Sequence, residues 1–239
     1  MTQPTAVILA GGLGTRIRHL LGDRPKPLAV VAGRPFLEWL IRFLAKQGFT
    51  DIIVSAGYHA EMVAAFCAQL GLENVNVRCV IEETPLGTAG GFLNAIENDR
   101  NANWLVCNGD SLVCADLRRF SRILDDAPVE GALLALPVED SSRYGRIRVD
   151  DESDLIAFNE KAGGPGLINA GVYLLRKRAA AQFPDRRPLS FEMDVFPNLL
   201  RSGAKIRVEK VAAPFIDIGT ESSLHAAGHF IKDNQGHFL

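Results

Sequence analysis

Three glycines fall within Leu9-Ala10-Gly11-Gly12-Leu13-Gly14-Thr15-Arg16, directly after an apolar run, and Arg24-Pro25-Lys26-Pro27-Leu28 follows. Glycines after a strand let the backbone approach phosphate oxygens and turn N–H groups toward them. Arg16 and Lys26 add the fixed positive charge that a triphosphate attracts. Glycines alone would mark only a strand-to-helix turn; an Arg and a Pro-flanked Lys in the same loop point to an anion site. Asp110 and Asp217 each end an apolar strand, one before Ser111 and the other before Ile218-Gly219-Thr220. Either carboxylate alone suits a turn or a helix cap as well as a cation. Lys161, beside Glu160 at a strand end, reads locally as a solvated lysine in a charged turn.

Other chemistries are excluded by spacing. A dinucleotide fingerprint needs a third glycine at position 17, which is Ile17, and a Walker loop needs a Gly-Lys pair that the chain lacks. His225 and His229 stand four apart, as metal ligands on a helix can, but no third ligand accompanies them and a plain surface helix is expected. No Ser-His-Asp or Cys-His arrangement is evident.

The elements that must position these residues follow from periodicity. Residues 5–10 form a continuous apolar run, as in a buried parallel strand. Leu37, Leu40, Ile41 and Leu44 keep helical spacing from Pro35 to a stop at Gly48. Strands are expected at 51–56, 75–81 and 104–107. Helices are expected from Ala60 to Leu70, at 88–97, and after an Asp116 cap. Strand–helix alternation predicts an α/β fold, a doubly wound, Rossmann-like and mostly parallel sheet with sites at the carboxyl ends of its strands. The Gly11 loop and Asp110 both fall at such ends. Beyond residue 130 the strand-like segments 131–138, 146–149, 155–159, 167–175, 205–211 and 215–218 suggest mixed or antiparallel pairing and a β-rich lobe beside the crevice. Residues 192–200 suit a helix that Pro197 should disturb, and 220–231 suit a closing helix. We expect one domain over 1–239, with an α/β half (1–130) and a β-rich half ending in a closing helix (131–239).

Composition leaves small anions possible as ligands, since a few placed cations can bind them. Lys and Arg total 26 against 28 Asp and Glu, so no strongly basic face recruits nucleic acid. Met1 to Pro4 carry no basic cluster, and no run approaches the ~20 apolar residues of a membrane span. The four cysteines lack metal spacing and read as reduced, mostly buried thiols, from which a cytoplasmic location is expected. Phe230-Ile231 and Phe238-Leu239 suit either the core or a homodimer interface.

The order of motifs resembles the sugar-phosphate nucleotidyltransferase family over nearly the whole chain. Gly-Gly-x-Gly-Thr-Arg with Pro-Lys-Pro is similar to its signature loop, and Glu82-Glu83-Thr84-Pro85-Leu86-Gly87-Thr88-Ala89 to its base-binding segment. Asn108-Gly109-Asp110 and Asp217-Ile218-Gly219-Thr220 resemble its two metal motifs. Asn159-Glu160-Lys161 and Asn169-Ala170-Gly171-Val172-Tyr173 resemble its sugar-phosphate segments. The short length looks most similar to the bacterial D-glycero-D-manno-heptose 1-phosphate guanylyltransferases. The resemblance implies transfer of a nucleotidyl group from an NTP to a sugar 1-phosphate, of heptose or mannose type, for surface-polysaccharide synthesis. It implies that Asp110 and Asp217 together hold Mg²⁺. Leu9, Ala10, Gly11, Gly12, Gly14, Thr15, Gly87 and Thr88 then line the nucleotide. Arg16, Lys26 and Lys161 neutralise charge, and Asn108, Gly145, Glu160 and Asn169 meet the sugar. Uridylyl or thymidylyl transfer, or a regulatory homologue that binds without reacting, are the alternatives; retention of Arg16, Lys26, Asp110 and Asp217 favours an enzyme.

The base is the one specificity the residue chemistry addresses. Guanine presents N1–H and the N2 amino group side by side, and a carboxylate can accept from both. Uracil and thymine present one donor between two carbonyls, which suits a side-chain amide. The segment carries Glu82 and Glu83, with no Gln or Asn before Gly87. GTP is therefore expected, with one of the two glutamates as reader; a one-residue slip at a strand end exchanges them.

Overall fold

The structure, a computed structural model, describes residues 3–159 and 163–239. Strand β1 (Thr5–Ala10) is apolar because both of its faces are covered. Ala6, Ile8 and Ala10 join one hydrophobic cluster and Val7 the other, the alternation that a pleated strand imposes. Helix α1 (Phe36–Lys46) buries Phe36, Leu37, Leu40, Ile41 and Leu44 in the first cluster. It stops at Gly48, whose φ of +86° favours glycine and whose N–H donates to Ala45 O at 2.8 Å. Strand β2 (Asp51–Ala56), helix α2 (Ala60–Gln69) and strand β3 (Asn76–Ile81) follow. Helix α3 (Thr88–Ile96) places Ala89, Phe92 and Ala95 in the second cluster, so helices cover both faces.

Strand β4 (Asn103–Asn108) then returns to the free side of β1, with Leu9 opposite Asn108. The parallel order is β3-β2-β1-β4. The chain has wound outward from β1 and come back to its other edge, which opens a crevice at the carboxyl ends of β1 and β4. Strand β5 (Ser111–Val113) leads to helix α4 (Leu117–Ser121), where the Arg119 N–H donates to the capping Asp116 Oδ1 at 2.9 Å.

The second half continues the same sheet. Strands β6 (Gly131–Val138), β7 (Arg146–Val149), β8 (Leu155–Asn159) and β9 (Gly166–Arg176) match the expected segments within a residue. β9 runs antiparallel to β4 and to β6, and β7 and β8 pair antiparallel beyond it. The sheet counts nine strands among the described residues. The helix expected over 192–200 changes character at Pro197: a π-helical turn (Phe191–Val195) gives way to helix α5 (Phe196–Arg201), whose first turn holds the proline, where a missing N–H is tolerated. Strand β10 (Ile206–Lys210) is parallel to β6. Strand β11 (Phe215–Asp217) pairs with β5, and helix α6 (Glu221–Asp233) starts from a Thr220–Ser223 capping box.

Ile231 and Phe238 are core residues, the latter edge-on to Trp39, while Leu239 is exposed. His225 and His229 lie on the exposed side of α6, and no cluster of three or more metal-ligating side chains occurs among the described residues. All four cysteines are free, and burial pushes the Cys107 and Cys114 thiols up to about 12. No described helix is long and apolar enough to cross a membrane.

Candidate active site at the carboxyl ends of two parallel strands

The crevice holds a cleft of about 320 Å³ lined by Leu9, Ala10, Gly11 and Gly12 from the β1 loop, Glu82, Gly87 and Thr88 from the β3–α3 connection, and Asn108 and Asp110 from the end of β4. Lys26 lines it too, with Leu13, Pro27, Pro85 and Gly109, which the sequence reading did not single out. A smaller hollow shares Gly12, Lys26 and Asp110 and adds Gly14, Thr15, Arg16 and Gly219. The glycine loop, both cations and one candidate metal carboxylate thus meet at one place.

Lys26 is nearly buried, and its Nζ donates to Asp110 Oδ2 at 2.6 Å; Ser111 Oγ donates to Asp110 Oδ1 at 3.0 Å. Across the β5–β11 pair, Asp217 stands opposite Ser111, and the Ile218 N–H donates to the Asp110 carbonyl at 2.9 Å. Asp217 Oδ1 accepts from the Gly219 N–H at 2.8 Å, and Arg143 Nη2 donates to both of its oxygens, at 3.0 and 2.9 Å. The Tyr144 hydroxyl donates to Oδ2 at 2.5 Å. Burial first, then this carboxylate, raises the Tyr144 pKa, so the phenol stays a donor.

Two hard carboxylates tied by one backbone hydrogen bond suit a divalent cation with oxygen ligands. A side chain at position 219 would crowd the Asp217 carboxylate and the two cations: a Cβ there would lie 2.7 Å from Asp217 Oδ1, 3.7 Å from Lys26 Nζ and 3.9 Å from Arg16 Nη2. Glycine keeps that cradle open, and the residues present fit Mg²⁺.

The two glutamates separate cleanly. The Glu82 N–H donates to Ala56 O at 2.8 Å, which carries the β2–β3 pairing one residue past β3 and fixes the face. Glu82 turns into the cleft; its Oε1 accepts from Ser55 Oγ at 2.9 Å. Glu83 is exposed and lines neither hollow. Gly87, predicted to give the base close approach, is held by its own scaffold: with φ at +76°, a Cβ would stand 2.5 Å from Leu189 O. The Thr88 hydroxyl accepts from the Phe191 N–H at 3.0 Å, so it anchors the π-helical turn as well as edging the cleft.

On the sugar side, Asn169 lies outside both hollows and is linked to the larger one through Gly171 and Asn108. Its Oδ1 accepts from the Gly171 N–H, and a Cβ on Gly171 would overlap the Asn108 side chain. Its Nδ2 donates to the buried Tyr173 hydroxyl at 2.8 Å, which donates in turn to Glu192 Oε1 at 2.8 Å. Space before Gly145 is open, the nearest atom to a Cβ being Asn159 O at 3.9 Å. Glu160 and Lys161 lie outside the described residues. Sequence reasoning missed Ser55, Arg143 and Glu192, and took Gly219 only as part of the second metal motif. Of the three missed residues only Ser55 left a signal, as a lone polar residue inside an apolar strand.

The same architecture occurs in known proteins. The chain is 33% identical over 230 residues to the D-glycero-alpha-D-manno-heptose 1-phosphate guanylyltransferase of Campylobacter jejuni, covering 96% of this chain and 99% of that one. It is 35% identical over 221 residues to the mannose-1-phosphate guanylyltransferase of Mycobacterium tuberculosis, covering 91% of this chain and 62% of that one. The crystal structure of HddC from Yersinia pseudotuberculosis complexed with GMP-PN superposes with a TM-score of 0.83 at 33% identity, over 95% of this chain and 98% of that chain. A nucleotidyl transferase family model matches residues 5–234, which include every element that builds the cleft, and the chain belongs to that family.

Proposed function

We propose that the chain transfers the guanylyl group of GTP to a sugar 1-phosphate of heptose or mannose type, releasing pyrophosphate. The observation that carries this reading is the Glu82 carboxylate, turned into the cleft between the glycine loop and α3. Its two oxygens match the paired donors of guanine, and the guanylyltransferase relatives support the same base. A sugar-phosphate oxygen attacks the α-phosphorus, and the bond to the pyrophosphate oxygen breaks. The nucleophile is already an anion, so no general base is required. The protein's part is alignment and charge neutralisation. Arg16 and Lys26 would hold triphosphate oxygens and Lys161 the sugar phosphate, with Asn108, Gly145, Glu160 and Asn169 contributing to recognition of the sugar. Asp110 and Asp217 would hold Mg²⁺, which neutralises charge on the α-phosphate. The nucleotide-activated product serves surface-polysaccharide synthesis in the cytoplasm, where the four thiols stay reduced. A matrix of GTP, ATP, UTP and dTTP against sugar 1-phosphates, read by pyrophosphate release, tests the reading. Release with GTP and a manno-configured phosphate is expected; release with no pair would overturn it.

A further inference from the structure

Ser55 is fully buried in β2, and its hydroxyl has one proton for two acceptors, Glu82 Oε1 at 2.9 Å and Gly91 O at 3.1 Å. The charged acceptor forms the stronger bond. Two glycines wall the same carboxylate. A Cβ on Gly11 would overlap Glu82 Oε1, and a Cβ on Gly91 would stand 2.6 Å from that oxygen and 3.0 Å from Ser55 Oγ. On the other edge, the Leu86 N–H reaches Oε2 at 3.4 Å. Ser55, Gly11 and Gly91 therefore crowd Oε1 and the Leu86 N–H lies toward Oε2, so the carboxylate sits in a narrow slot.

We propose that Ser55 and the Gly11–Gly91 slot are a specificity device that fixes the plane of the Glu82 carboxylate and lets the cleft tell guanine from hypoxanthine. The inference rests on Glu82 being the base reader. Guanine and hypoxanthine share N1–H; only guanine adds the N2 amino donor beside it. Accepting from both donors needs both oxygens in the plane of the base. The terminal torsion of a glutamate is broad and weakly held, so an unpinned carboxylate meets one donor well and the second poorly. A pin on Oε1 converts the N2 amino group into binding.

Titration calorimetry with GTP and ITP, on the full chain, reads this directly and does not require the sugar to be known. Wild type is expected to favour GTP over ITP. Ser55→Ala should shrink the GTP/ITP affinity ratio on the order of tenfold, chiefly by weakening GTP. Gly91→Ala is an independent arm. It places alanine, the best helix former, inside α3, so the melting temperature should hold, yet its methyl wedges between Ser55 and Glu82 and should shrink the ratio as well. A ratio unchanged in folded Ser55→Ala or Gly91→Ala, or equal weakening of both nucleotides, would overturn the inference. Glu82→Gln separates the two levels. If it collapses the ratio while Ser55→Ala does not, only the positioning role fails; if it leaves the ratio intact, Glu82 is not the reader and both fail.

Discussion

The Ile218 N–H donates to the carbonyl of Asp110 at 2.9 Å, so the two candidate metal carboxylates are registered by backbone, not by their side chains. Changing either side chain leaves that register in place. Asp110→Asn and Asp217→Asn should therefore lower kcat by about 10²-fold or more while the melting temperature moves only a few degrees. Asparagine is the better choice at 110, because it keeps an acceptor for the nearly buried Lys26. EDTA should abolish pyrophosphate release by wild type. Full activity in EDTA or in either variant would sink the two-carboxylate site.

Arg143 lies on Asp217 at 2.9 Å and competes there with any cation. Arg143→Ala should lower the half-saturating Mg²⁺ concentration by roughly two- to fivefold, a modest effect because the arginine is partly exposed and its pairing is screened. A Mg²⁺ titration of initial rate, backed by Mn²⁺ binding followed by electron paramagnetic resonance, measures it. A rise in half-saturation would mean that Arg143 helps to build the site.

The cations divide between the two substrates. Arg16 lines the hollow beside the glycine loop. Arg16→Ala should weaken NTP use, and Lys161→Ala chiefly that of the sugar phosphate. Charge-assisted phosphate contacts are worth about 1.5–3 kcal/mol, or about 10- to 150-fold in affinity. Lys161→Ala losing NTP affinity while keeping the sugar phosphate would reverse the assignment.

Much of this arrangement was legible in the sequence because it is local. The apolar run of β1, the stop at Gly48, the Asp116 cap and the Thr220 start each follow from side-chain chemistry within a few residues. The meeting of Asp110 with Asp217 was not local: it depends on the β5–β11 pair, and the three residues of β5 carry no strand signal of their own. The choice between Glu82 and Glu83 depends on one ladder bond beyond the end of β3, which periodicity cannot place. Arg143 reaches Asp217 from a turn whose sequence says nothing of its partner.

The Cys107 and Cys114 thiols should be inert in the native protein. With Cys107 and Cys114 pushed up to about 12 by burial, the thiolate fraction of each at pH 8 is on the order of 10⁻⁴. Reaction with a chromogenic disulfide reagent should spare both until guanidinium is added. The sign of the linkage also follows. Above the ordinary thiol pKa the unfolded chain releases protons that the folded chain keeps, so stability should fall as pH rises from about 9 toward 12. Rapid native labelling of Cys107 would show that β4 opens locally.

Glu82 faces the cleft and Glu83 faces solvent, so the two substitutions should behave differently. A carboxylate accepts from guanine N1–H and N2–H; facing a pyrimidine carbonyl it is repelled and keeps an acceptor unpaired. GTP should therefore be preferred over UTP and dTTP by on the order of 2–4 kcal/mol in kcat/KM, roughly 30- to 1,000-fold. Glu82→Gln exchanges one acceptor for a donor. It should cut GTP use sharply and raise relative UTP use, since an amide offers a donor to a carbonyl and an acceptor to N3–H. Glu83→Gln, changing an exposed side chain, should leave the ratio within about twofold of wild type. Initial rates with GTP and UTP against one sugar 1-phosphate give all three ratios. Comparable wild-type rates with both nucleotides would refute the preference. Selectivity surviving in Glu82→Gln would leave the preference standing and remove Glu82 as its cause.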